Sequence, residues 1–188
     1  MLNNIIKSET LKLDFFNYLK AFFDLMKPRV MSLVIFTCVV GLLIAPIKVN
    51  YIDAVFSIIA VALGSGAAGA LNMWYEADLD SLMTRTCLRP IPTGKINKQQ
   101  ALLFGIFLTV FSVVALSHFA NTLSATLLLF TILFYLFIYT IWLKRITPQN
   151  IVIGGVAGSL PPVIGLSLIH ISEPTRRYAS SYAVFCLI

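Results

Sequence analysis

Apolar residues in this chain run in long unbroken stretches, and the charged positions mark where the stretches stop. Val30 to Ile47 carries no charge, nor does Ala54 to Tyr75, and Gln99 to Leu143 is free of formal charge over 45 residues. A bilayer core takes about 20 residues per helix, so the last run predicts two spans, with Ser117-His118-Phe119-Ala120-Asn121 as the turn between them. A fifth apolar run begins near Ile151 and holds Gly154, Gly155, Gly158, Pro161 and Pro162, which predicts a span broken or kinked at its prolines. Ahead of the first span, Phe15, Phe16, Leu19, Phe22, Phe23 and Met26 recur at helical spacing, with Asp14, Asn17, Lys20, Asp24 and Lys27 on the other face. That pattern predicts a helix lying in the membrane interface and ending at Pro28; the alternative is a simple extension of the first span. The fold class expected is all-α, a polytopic transmembrane helix bundle of four to five spans.

Composition agrees and removes other classes. The chain is 59% hydrophobic and 12% charged, with mean hydropathy +0.89, whereas a soluble domain is about a quarter charged. Cys38, Cys87 and Cys186 have neither the number nor the spacing of a disulfide framework or zinc site. The net charge of +6 reads as topology, with no nucleic-acid partner required. Lys7, Lys12, Lys20, Lys27 and Arg29 precede span one, Arg85, Arg89, Lys95 and Lys98 lie between spans two and three, and Lys144 and Arg145 follow span four. Only Lys48 falls on the other side. Basic residues stay in cytoplasmic loops, so the N-terminus and the 76–98 loop are expected in the cytoplasm. Residues 1–27 lack the apolar core of a cleavable signal peptide.

Three of the eight acidic residues fall within Glu76-Ala77-Asp78-Leu79-Asp80, where span two ends. On a continuing helix Asn72, Glu76 and Asp80 stack on one face at i, i+4, i+8, while Asp78 points elsewhere. Carboxylates at a helix C-terminus meet the negative end of the dipole, so a compensating cation is expected. An amide oxygen and two carboxylates form a hard, all-oxygen set suited to Mg²⁺, which usually completes its shell with water and phosphate. The plainer reading is a solvated helix end paired with Arg85 and Arg89. Arg85 and Arg89 are four apart, and Arg89-Pro90 is expected to end the helix, with Ile91-Pro92-Thr93-Gly94 as a turn. Guanidinium groups bind phosphate bidentately. Carboxylates, metal and arginines at the membrane surface suit an amphiphile with a diphosphate head and an apolar tail among the helices: a prenyl diphosphate.

The run Asn72-Met73-Trp74-Tyr75-Glu76-Ala77-Asp78-Leu79-Asp80, followed by Met83, Arg85-Thr86, Arg89-Pro90 and Gly94, resembles the first aspartate-rich motif of the intramembrane prenyltransferases, in the version carried by protoheme IX farnesyltransferases (haem O synthases). Lys27-Pro28-Arg29-Val30, Tyr139-Thr140 and Leu143-Lys144-Arg145 agree with it, and the resemblance covers about residues 20 to 165. It implies that Asn72, Glu76 and Asp80 hold Mg²⁺ on farnesyl diphosphate, with Asp78 a nearby helper. Glu76 stands where many members have Asp. Arg29, Arg85, Arg89 and Lys144 would neutralise the diphosphate, and Tyr139 would line the pocket. The acceptor implied is haem B, the product haem O, a further partner a downstream haem A synthase, and the location the cell inner membrane.

The family also has a second aspartate-rich motif and about nine spans, whereas the only acid after Asp80 here is Glu173. The chain as written is therefore expected to be inactive, a truncated half. Leu166-Ser167-Leu168-Ile169-His170-Ile171-Ser172-Glu173-Pro174-Thr175-Arg176 reads as a translated sequencing-library adapter, and Ser181 to Leu187 as its continuation. The division expected is an interfacial helix at 1–27, a partial prenyltransferase domain at 28–165 and a non-native tail at 166–188.

Other readings compete. A quinone or chlorophyll prenyltransferase would share the motif, though Arg85-Thr86 to Arg89-Pro90 and Lys27-Pro28-Arg29 favour the haem branch. An ion-coupled transporter would place its acid near the midplane with a pseudo-repeated partner. His118, in the turn on the far side, reads as a generic polar turn residue and not a haem ligand. Gly64, Gly66, Ala67, Ala68 and Gly69 predict close helix packing.

Overall fold

The computed structural model describes residues 16–44, 50–143 and 150–167. Lys48, Lys144 and Arg145, residues 1–15 of the expected interfacial helix and residues 168–188 of the expected tail lie outside them. Every regular element among the described residues is helical: α1 (Phe16–Leu25), α2 (Pro28–Ile44), α3 (Tyr51–Leu82), α4 (Lys98–Phe119), α5 (Thr122–Leu133) running on as a π-helical segment (Phe134–Leu143), and α6 (Asn150–Ser167). Three helices, α3, α4 and the α5–π unit, are long and apolar enough to cross a bilayer, and the bent α1–α2 pair makes a fourth by the same measure. This is the build of a multi-pass membrane protein.

α1 does not simply extend α2. The two are bent by 54° at Met26-Lys27, where Lys27 has φ 53°, the only positive φ of a non-glycine residue among the described residues. Its carbonyl accepts the first amides of α2, from Val30 (2.9 Å) and Met31 (3.1 Å), and Pro28 takes the first helical position, where its missing N–H costs nothing. A left-handed residue ahead of proline is strained by about 1–3 kcal/mol, and packing supplies the restraint. Leu25 is fully buried, and the Met26 carbonyl lies 3.1 Å from where a Cβ on Gly69 would stand. The small residues of α3 therefore seat the α1–α2 corner.

Two cores result. The larger joins α2, α3, α4, α5 and α6 through Cys38, Val61, Leu71, Leu116, Leu128, Ile132 and Ile164. The smaller, Ala21, Leu25, Ala70, Met73, Ile96 and Ala101, clamps α1 and the loop before α4 onto the C-terminal half of α3. Phe22 reaches Phe104 edge-on at 4.9 Å.

At the other end of α4 the turn is Ala120-Asn121. Asn121 caps α5 by accepting from the Ser124 amide (2.6 Å) and donates from Nδ2 to the Ser167 carbonyl (2.6 Å); the Ser124 and Ser167 hydroxyls meet at 2.8 Å. Asn121→Ala removes a cap and an inter-helix tie together, so thermal unfolding in detergent is expected to show a loss of about 2 kcal/mol, the upper end of cap deletions.

α6 decides half of one expectation, a span broken or kinked at its prolines: it is not broken. Pro161 and Pro162 lie inside a helix that runs unbroken to Ser167, two residues into the segment assigned to the tail. The prolines forfeit two backbone bonds but leave the helix intact, and α6 packs tightly on α2. A Cβ on Gly41 would collide with the Pro162 carbonyl oxygen, and one on Gly165 would collide with that of Cys38.

Candidate functional site

α3 has 32 residues, about 48 Å at 1.5 Å per residue, against a hydrocarbon core of about 30 Å. Its last turns therefore extend past the apolar zone, and Asn72, Glu76 and Asp80 lie on them. All three side chains are buried, at 2%, 4% and 3% exposure. A solvated helix end would be open to water, so burial argues against the solvated part of the plainer reading, while the pairing with Arg89 that it expected is present.

Each end of the row is engaged by a cation. Lys27 Nζ donates to Asn72 Oδ1, and Arg89 donates to Asp80 Oδ2 at 2.6 Å. Asn72 Nδ2 donates to Thr140 Oγ1 at 3.1 Å, and that hydroxyl spends its own proton on the Tyr135 carbonyl five residues back, at 3.0 Å. Thr140 can therefore only accept from Asn72. The amide nitrogen must face Thr140, and the oxygen must face Lys27.

The route to Arg89 differs from the expected one. α3 ends at Leu82 and Met83 is extended, so Arg85 and Arg89 are not a helical i, i+4 pair. The Asp80 carbonyl accepts from the buried Thr86 hydroxyl (3.1 Å), and the chain folds back over the helix end. The Pro90 carbonyl accepts from Lys95 and Ile96 (3.0 and 3.2 Å), Gly94 takes φ 74°, and Ile96 is 1% exposed. This compact loop delivers Arg89 to Asp80 while leaving Arg85 exposed.

The other expected site residues are dispersed. Arg29 is exposed on α2. Asp78 is also exposed and pairs with Lys98 at 3.1 Å, away from the row. Tyr139 stacks on Tyr135 with ring centroids 5.1 Å apart and packs against Gly154; the ring in the cavity wall is that of Tyr135. Lys144 lies outside the described residues. His118 is exposed at the far end of α4, about 30 Å along the helix from Lys98. Two partners of the row escape a reading of the sequence. Lys27 counts there toward topology, the polar face of the first helix and the family resemblance, and nothing in the sequence places it on Asn72. Thr140 lies 68 residues from Asn72, and no local pattern joins them.

One helical turn along α3 from Asn72 is an apolar cavity of about 200 Å³, walled by Gly64, Ala68 and Gly69 of α3 together with Val34, Ile132 and Tyr135, with Lys27 also in its lining. A polar row with cations beside an apolar chamber suits a ligand with an anionic head and a hydrocarbon tail. For a metal, the donor set is hard oxygen on one helix face. No group of three or more His, Cys, Asp or Glu among the described residues makes a cage. The residues thus fit Mg²⁺ in the form that shares its shell with a phosphate ligand, not as a stand-alone structural site.

Known proteins are similar to this chain in sequence and in fold. The protoheme IX farnesyltransferase of Pelagibacter ubique is 67% identical over 169 residues, covering 89% of this chain and 55% of its own. Protoheme IX farnesyltransferase 2 of Mesorhizobium japonicum is 60% identical over 148 residues, covering 79% and 47%. The chain spans about half the length of these curated relatives. In fold it is similar to a UbiA homolog from Archaeoglobus fulgidus solved with DMAPP and Mg²⁺, with TM-score 0.66 and 18% identity over 88% of this chain and 60% of that one. The model of the UbiA prenyltransferase family matches residues 34–188, a stretch that takes in the buried row, the fold-back loop and most of the cavity wall: the chain belongs to the UbiA prenyltransferase family.

Proposed function

We propose that this chain forms half of the active site of an enzyme that transfers the farnesyl group of farnesyl diphosphate to a vinyl group of haem B, giving haem O. The observation that carries the reading is the buried Asn72–Glu76–Asp80 row beside an apolar cavity and bracketed by Lys27 and Arg89. Relatives at 55–67% identity named protoheme IX farnesyltransferase support the choice of haem over other acceptors.

In this reading the cavity takes the isoprenoid tail, and its apolar walls keep water from the reacting carbon. Arg89, fixed by Asp80 and by the fold-back loop, presents the rest of its guanidinium to the diphosphate. Lys27 adds an ammonium at the opposite end. Charge building on the departing diphosphate thus meets cations already in place, which is how such sites lower a barrier. Mg²⁺, held by Asn72, Glu76 and Asp80 through the diphosphate, would neutralise that leaving group further. Arg29, Arg85, Asp78 and Tyr139 stand further out and, with Lys144, belong to the reading as supporting contacts. The setting proposed is the cell inner membrane with the N-terminus in the cytoplasm, and a haem A synthase as the consumer of the product.

Expression of the complete gene product, not of this half alone, in cells lacking their own activity, with haem extracted and resolved by chromatography, tests the reading. Haem O is expected. Prenylation of a hydroxybenzoate in its place would move the protein to the quinone branch. Separately, the chain in lipid nanodiscs is expected to bind farnesyl diphosphate more tightly with Mg²⁺ than without.

A further inference from the structure

Given the farnesyl transfer proposed above, on which this rests, we infer that Tyr135 is a catalytic residue: its phenol donates a hydrogen bond to the diphosphate oxygen that leaves carbon C1 of the farnesyl group.

Tyr135 stands where the polar and apolar parts of the site meet. Its side chain lines the cavity with Gly69 and Ile132, while its phenol lies within electrostatic reach of Glu76 in the row and of Arg89 at the row's end. A prenyl diphosphate with its tail in the chamber and its head on Arg89 carries its C1–O bond across that boundary.

The ring is held there from behind. It stacks on Tyr139, with centroids 5.1 Å apart and planes 19° from parallel, and Tyr139 is in turn pressed on Gly154 of α6. Tyr139, the tyrosine to which the family resemblance points, thus serves as the backing plate. The Tyr135 carbonyl accepts from Thr140 at 3.0 Å, and Thr140 accepts from Asn72, so the backbone of this π-helical turn is tied to the row itself.

Only the hydroxyl is left without a task. Among the described residues it makes no hydrogen bond, and it is not sealed in the core, where an unpaired polar atom would be costly. A phenol can both donate and accept. Toward an anion it donates.

As the C1–O bond breaks, its electron pair passes to the diphosphate oxygen. The vinyl π pair of haem forms the new bond to C1, and the positive centre left on the vinyl carbon takes water and releases a proton. The phenol keeps its own proton throughout. Its hydrogen bond is weak to the ester oxygen of the bound substrate and strong to the anionic oxygen that departs, so the gain falls on the transition state. Arg89 attracts the diphosphate from the row, whereas Tyr135 meets the new charge at the atom where it forms.

Steady-state turnover of the complete enzyme, with haem O resolved by chromatography, separates this role from packing. Tyr135→Phe keeps the ring and its stack and removes the O–H alone. It is expected to lower kcat about 30-fold, the worth of one hydrogen bond to a charged group. The KM for farnesyl diphosphate should change less than about 2-fold, because the ground state hardly uses the bond. Replacing Tyr135 by 3-fluorotyrosine, a stronger donor still protonated at neutral pH, should raise kcat above the wild-type value.

Unchanged kcat in Tyr135→Phe overturns the inference and leaves the half-site reading standing. A loss carried by KM does the same, since the phenol would then be a binding contact. If the phenylalanine variant loses helical content by circular dichroism, the fluorotyrosine protein decides alone, and a kcat at or below wild type overturns the inference. Absence of haem O from the wild-type enzyme overturns the proposed function and the inference together.

Discussion

Replacing Asp80 by Asn is expected to lower haem O formation by the whole enzyme about 100-fold or more, in line with the loss of one preorganised charge contact in other active sites. The side chain is 3% exposed and keeps nearly the same shape as an amide. Its carbonyl bond from Thr86 does not involve the carboxylate, so the fold-back loop keeps that anchor. The change is one of charge: the row loses one of its two carboxylates, and Arg89 loses the counter-ion that aims it. Chromatography of extracted haems gives the turnover, and protease protection of the loops shows whether insertion is intact. Wild-type turnover in Asp80→Asn would return the row to a buried structural salt bridge. Asn72→Ala should fall by a similar factor, because it deletes the central amide that links Thr140 to Lys27.

Gly41→Val should give a large stability loss, about 3 kcal/mol, the upper part of the range for overpacking. The atom in the way is the Pro162 carbonyl oxygen, which the new Cβ would strike, and backbone cannot rotate aside as a side chain can. Gly165 makes the reciprocal contact on Cys38, so α2 and α6 touch backbone to backbone at two points. Either valine should wedge them apart and open the cavity wall. Gly155→Val is the internal control. Nothing lies within 4 Å of its Cβ position, and the change should be within about 0.5 kcal/mol, as for a surface substitution. Thermal unfolding in detergent separates the two. Equal effects at Gly41 and Gly155 would show that α2 and α6 are not in contact.

Much of this architecture is legible in the sequence because charge is scarce in it. The uncharged runs mark the spans, the turn falls within Ser117 to Asn121, and the clustering of acids singles out the end of α3. The row Asn72–Glu76–Asp80 follows from helical periodicity alone. Periodicity does not give the helix end. Arg85 and Arg89 look like one helix face, yet Met83 is extended and a threonine hydroxyl turns the chain back, so one arginine is delivered and the other exposed. At Pro161-Pro162 the sequence leaves a break and a kink as alternatives, and packing on α2 keeps the helix from breaking. Contacts made across the bundle, Lys27 to Asn72 and Thr140 to Asn72, depend on how separate helices meet, and no window of sequence contains them.

The π-helical segment bears on heredity in a way that substitutions do not reveal. Its wider turn sets the Thr140 hydroxyl over the Tyr135 carbonyl and beneath the Asn72 amide, and an extra residue per turn is what creates that alignment. Most of its side chains are hydrocarbon or aromatic, so many missense changes there should pass unnoticed. Loss of a single codon upstream of Thr140 within it would let the segment relax to an ordinary helix and rotate the downstream residues by about 100°. The reading frame would survive, the span would still be long enough for the bilayer, and yet the amide would be free to turn. Within this stretch, length is under tighter constraint than spelling.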